Sequence, residues 1–228
     1  MTRTTNARLA GSAFLLYIAT GLTSLVLTNR TTGAVEGAAA KLAAMAAHPT
    51  TVRVTVVLTL LCFVYAVVLA VTLRALTRDQ DPDLAMIALC CRVSEGVTGA
   101  VSAVQTLELL SIATAAASAA GPDAAAASEV GGVLLKYGQV GGVIPASCFA
   151  VGGTLFAWLF LRARSIPVPL AWLGVVGSAL LLVALPAQIL GFIERPVTDL
   201  VWIPVAIFEV VLALWLIIKG VPAPATRT

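Results

Sequence analysis

The chain has 228 residues, 60% hydrophobic and 11% charged, with a formal net charge of +3. Soluble domains are about 45–50% apolar and about 25% charged, so a mean hydropathy of +1.01 excludes an ordinary water-soluble fold. The small, scattered positive charge excludes a nucleic-acid surface, which needs a basic patch with interleaved aromatics.

The first predicted element is a membrane span over residues 9–27, behind Arg3 and Arg8. Its apolar core outlasts the h-region of a signal peptide and no small-residue cleavage site follows, so it reads as a retained span. The alanine-rich stretch "TGAVEGAAAKLAAMAAHP" comes next. Alanine has the highest helix propensity, and a short interfacial helix is expected in this first outer loop, as a spacer or as a lid over an outer cavity. His48, the only histidine, precedes Pro49 in that loop and has no second histidine to share a metal.

A second span covers 52–73 and a third covers 84–113. The third holds "ALCCRVSEGVTGA", which places Arg92 and Glu95 inside apolar sequence. Such a charge costs about 2.5–3.5 kcal/mol on insertion scales and turns toward a protein interior or a wet cavity. Their i, i+3 spacing puts them on one helix face, able to pair. Gly99, Ser102 and Thr106 continue that face, while Glu108 points nearly the opposite way. Another alanine-rich stretch, "ATAAASAAGPDAAAASEVGG", predicts a second short interfacial helix with a start signal at Pro122–Asp123.

The fourth span, 140–161, is rich in glycine, at Gly141–Gly142 and Gly152–Gly153, and Gly131–Gly132 precedes it. Small residues allow close helix packing, and oligomerisation through this span is one use of them. Pro145 predicts a kink, and Lys136 and Tyr137 lie before it near the outer interface. The fifth span, 170–192, is interrupted by Pro186 and Gln188. "GFIERPVTD" then sets Glu194, Arg195 and Asp199 at the outer face, as loop charges or as paired acids.

The sixth span, 200–218, contains Glu209, with Trp202 seven residues earlier on the same face. Glu209 has no cation within a helical turn and needs a proton or a partner from another helix. Counted from the span ends, Glu209 and Arg92 lie at depths that agree to within about one turn of 5.4 Å. A cluster of Arg92, Glu95 and Glu209 is therefore expected, either fixing helix register or serving a substrate, proton or ion.

Arg3, Arg8, Arg74, Arg78, Arg162, Arg164, Lys219 and Arg227 would share one side, against Arg30, Lys41, Arg53, Lys136 and Arg195 on the other. The side richer in basic residues is the cytoplasmic one. This predicts a multi-pass protein of the inner (cytoplasmic) membrane with both termini in the cytoplasm. Cys62, Cys90, Cys91 and Cys148 all lie in apolar runs, so neither a disulfide framework nor a zinc site is expected. No phosphate loop, nucleophile elbow or nucleotide fingerprint occurs, and no cofactor or metal is expected.

Four stretches carry a family resemblance: "ARLAGSAFLLYIATG", "CCRVSEGV", "LFAWLFLRARSIPVPLAWLGVVGSAL" and "FEVVLALWLIIKG". In this order they resemble a bacterial integral-membrane family catalogued as domain of unknown function 4386. The resemblance implies a six-helix membrane fold and no particular reaction. The expected fold is an all-α, polytopic six-helix transmembrane bundle forming a single domain. Three functions compete. A non-catalytic protein would bind a small lipophilic ligand or a membrane partner around the cluster. A membrane-embedded enzyme would act on an isoprenoid or lipid by acid catalysis. A transporter, or a transporter subunit, would use Glu209 as a proton-coupled carboxylate. Diphosphate chemistry is disfavoured by the lack of an Asp-rich or Arg/Lys clamp, and a transporter by the lack of internal repeats.

Overall fold

Where the helices begin is set largely by proline, whose missing N–H costs nothing in the first turn and whose φ is already helical. The computed structural model of the protein describes residues 1–221, apart from the side chains of residues 139, 140 and 195. Two basic residues weighed for orientation, Arg227 and the side chain of Arg195, lie outside the described residues. The helices are α1 Arg3–Thr28, α2 Ala38–Ala47, α3 Pro49–Thr77, α4 Pro82–Ser118, α5 Pro122–Gly141, α6 Val143–Ala163, α7 Val168–Ile189 and α8 Arg195–Ile218. Pro49, Pro82 and Pro122 are first residues, and Pro169 and Pro196 second residues, of their helices. Asp81 caps α4, its Oδ1 accepting the Leu84 N–H at 3.1 Å. At the far end of α8 the N–H groups of Lys219 and Gly220 both reach the Trp215 carbonyl, with Gly220 at φ 69°.

A π turn, Asn29–Gly33, continues α1. No strand occurs among the described residues, and six helical stretches are long and apolar enough to cross a membrane. The protein is an all-α, multi-pass membrane protein. Large apolar side chains such as Leu22, Val71, Val183 and Ile218 are exposed along these stretches, as lipid in place of water allows.

The helices run past the expected spans, α4 reaching Ser118 where the apolar pattern fades near Ala113. The first alanine-rich loop forms α2, and the second continues α4 and then restarts at Pro122 as α5. The fourth span is divided between α5 and α6, the break lying at Gly142. Pro145 is the third residue of α6, in its first turn, where its lost N–H breaks no helical hydrogen bond. The expected kink is thus a helix start.

The described chain divides into two compact units. Unit 1 holds residues Met1–Tyr17, Val64–Gly96 and the chain from Ile144 onward. Its core includes Ala10, Leu69, Leu73, Phe160, Phe208 and Leu212. Helices close in where side chains are missing. A Cβ on Gly174 would fall 2.5 Å from the Phe208 ring, and one on Gly11 2.5 Å from the Ala213 carbonyl oxygen.

Unit 2 holds Ile18–Phe63 and Val97–Val143. There α2 turns Leu42 and Met45, one helical turn apart, into a core with Val52, Leu109, Leu110 and Ala113. Gly131 of α5 lets α2 settle closely, since a Cβ there would lie 2.6 Å from Leu42 Cδ1.

Candidate functional site

Arg92 of α4 is 2% exposed, which for a guanidinium among apolar helices demands partners on several sides. Its Nη1 lies 2.9 Å from Glu95 Oε2, one turn further along the same helix. Its Nη2 lies 3.8 Å from Glu209 Oε1 of α8. Three rings complete the enclosure. The guanidinium carbon sits 4.7 Å from the Phe149 ring centre, 5.6 Å from Tyr17 and 5.9 Å from Phe14, within range for cation–π attraction. Tyr17 also donates its hydroxyl hydrogen to Glu95 Oε1 at 2.5 Å. Both oxygens of Glu95 are thereby engaged, one by α1 and one by Arg92.

Each contributing helix uses simple spacing. Phe14 and Tyr17 share a face of α1 just as Arg92 and Glu95 share a face of α4. Gly152 brings α6 against α4, because a Cβ there would sit 3.1 Å from Arg92 Cγ and 3.2 Å from the Ala88 carbonyl. Trp202 of α8 stands one step back, its ring 5.2 Å from Phe149. Among the described residues the guanidinium nitrogens make ionic and ring contacts without aligned hydrogen bonds. Beside them lies a cavity of about 20 Å³, measured as the space open to the centre of a water molecule. Arg92, Glu209, Ser178 and several phenylalanines line it. That volume admits about one water.

The other expected residues lie elsewhere. Ser102 is exposed, and its hydroxyl donates to the Thr98 carbonyl of its own helix at 3.1 Å. Glu108 and Tyr137 are exposed in unit 2. In unit 1, Gln188 is half-buried near the end of α7, Glu194 is exposed as the residue before α8, and Asp199 is exposed in the early turns of α8. Phe14, Tyr17 and Phe149 were not anticipated. Their one signal is positional, aromatic residues at helical spacing in spans that must face a buried cation.

A family model described as "Domain of unknown function (DUF4386)" matches residues 9–220. The chain belongs to this family. No curated protein and no solved structure matches it. The family match covers every residue of the Arg92 cluster, and its description assigns no reaction to it.

Proposed function

We propose that the protein is a non-catalytic component of the cytoplasmic membrane that binds a small lipophilic ligand, with the Arg92 cluster as the polar lock of its helices. One observation carries the non-catalytic part of this reading: the cluster is closed around its own members. Glu95 is held by Tyr17 and Arg92, and the free space beside Glu209 is about 20 Å³. A catalytic acid must reach a substrate atom at about 2.6–3.2 Å, and no lipid or isoprenoid fits in the room of one water. Both termini are assigned to the cytoplasm, on the distribution of basic residues.

The charge count favours a second reading, a proton-coupled carboxylate. Two carboxylates face one guanidinium in the cluster, so a bound proton or cation would balance it, and Glu209 is the carboxylate beside the water-sized space.

The discriminating experiment compares wild type with Glu209→Gln, purified in mild detergent, by mass spectrometry of bound small molecules and by thermal unfolding. The expected result is the same bound lipophile in both, with a lower unfolding temperature in the variant. Loss of the lipophile with stability intact would place the ligand at the cluster. A wild-type carboxylic-acid infrared band that shifts with bulk pH and is missing from the variant, together with loss of pH-driven uptake in vesicles, would favour proton coupling over the lock.

A further inference from the structure

A partly open cavity in unit 2 has no charged residue in its lining. It measures about 160 Å³ on the same measure that gives about 20 Å³ beside Arg92. A dry cavity of about 150 Å³ is enough to lodge benzene, so this one accommodates a ring or a short alkyl chain. Five threonines line it: Thr28, Thr31, Thr32, Thr55 and Thr106. The rest of the wall is aliphatic or Met45, and no ionisable side chain contributes.

The hydroxyl geometry is selective. Thr31 donates to the Leu27 carbonyl at 2.9 Å, Thr32 to Thr28 at 3.1 Å, Thr55 to Val52 at 2.7 Å and Thr106 to Ser102 at 2.9 Å. Each of these four hydroxyls has a single hydrogen, and it is committed to the helix backbone. What remains at each oxygen is acceptor capacity. A wall of acceptors and methyl groups repels a carboxylate or phosphate. It welcomes a neutral molecule with an O–H donor and an apolar body.

Two local features shape this wall. Thr28, Thr31 and Thr32 stand at i, i+3 and i+4, on one face where α1 passes into the π turn Asn29–Gly33, and all three line the cavity. Such turns recur at functional sites. On the facing side α2 supplies Met45, a flexible side chain that adapts to an occupant. The ten residues of α2 are bounded by Gly37, at φ 83°, and by His48.

We propose that this threonine-lined cavity, closed on one side by α2, binds a small neutral amphiphile through its hydroxyl group. The proposal rests on the reading that the protein binds a lipophilic ligand, and it names the place and the ligand class.

The test uses the full chain in proteoliposomes, irradiated with a diazirine-bearing octanol and mapped by mass spectrometry, with plain octanol or octanoate as competitor. Saturable labelling is expected at residues 28–32, Met45 and 106–109, abolished by octanol and spared by octanoate. Thr55→Val with Thr106→Val removes two acceptors and is expected to weaken the labelling affinity about tenfold. Equal competition by octanoate, or an unchanged affinity in the folded double variant, overturns the ligand class. Saturable labelling confined to the surroundings of Arg92 overturns this site and leaves the ligand-binding reading standing. Labelling that never saturates anywhere overturns both, and the wild-type map decides this even if the variant does not fold.

Discussion

The positive charge of Arg92 is permanent, because a guanidinium keeps its proton at every pH a cell meets. Glu95 and Glu209 are therefore structural necessities before they are anything else. Replacing Arg92 alone by Met strands two carboxylates and is expected to cost about 3–5 kcal/mol. The triple variant Arg92→Met, Glu95→Gln, Glu209→Gln carries no stranded charge and is expected to recover most of that loss, as thermal unfolding in detergent would register. A triple variant no more stable than Arg92→Met would contradict the lock. The charged members of this cluster were legible in the sequence because a charge in a span is rare and its depth follows from helical rise. The rings were not, since Phe14 or Phe149 in an apolar run carries no mark that separates a cation's partner from a lipid-facing residue. Ser102 was expected on the charged stripe and instead bonds its own helix. Serine in a helix always has that local alternative.

At the scale of helices, glycines that look alike in sequence do different things. Gly174 faces the Phe208 ring, whereas a Cβ on Gly99 would meet nothing within 4 Å. Gly174→Ala is expected to cost about 1–3 kcal/mol by overpacking, with recovery when Phe208 is shortened to Leu. Gly99→Ala is expected to be neutral or to stabilise by up to about 1 kcal/mol, through helix propensity alone. Unfolding of the single and double variants checks both, and equal effects at the two glycines would remove the packing account. The helix start at Pro122 was legible, because proline acts locally, whereas the starts at Pro49 and Pro82 lie two or three residues before the expected spans, which followed apolar length alone. The break between α5 and α6 was not placed correctly, because a proline in the first turn of one helix reads in sequence like a kink within a longer one. The threonine wall of unit 2 was hidden for a different reason. Thr28, Thr31 and Thr32 fall at helical spacing, but Thr55 and Thr106 come from separate stretches of chain, and no periodicity links them to the first three.

For the molecule as a whole, the ends of several helices in unit 1 are tied together by surface charge. Arg3 Nη1 lies 2.9 Å from Asp79, and Arg162 Nη1 lies 3.4 Å from Asp81. These pairs are partly exposed, and each is worth at most about 1 kcal/mol. Their interest is topological, since they place the chain's start, the turn between α3 and α4 and the end of α6 at one level. On the proposed orientation, with both termini in the cytoplasm, a fluorescent protein fused to the C-terminus is expected to glow and an alkaline phosphatase there to be inactive. Phosphatase inserted at residues 119–121 is expected to be active. The reverse pattern would invert the orientation. Six spans were legible from apolar length alone, because the bilayer sets one length for all of them.

The pairing of Arg92 with Glu95 also bears on how the protein is made. Glu209 leaves the ribosome more than a hundred residues after Arg92, a delay of about ten seconds at ordinary synthesis rates. During that interval α4 must enter the bilayer without α8. Glu95, one turn away on the same helix, neutralises Arg92 from the moment α4 forms. The later carboxylate can serve only the finished protein, while the nearer one serves the nascent chain as well. On that account Glu95→Gln should lower the yield of inserted protein in pulse labelling more than Glu209→Gln does.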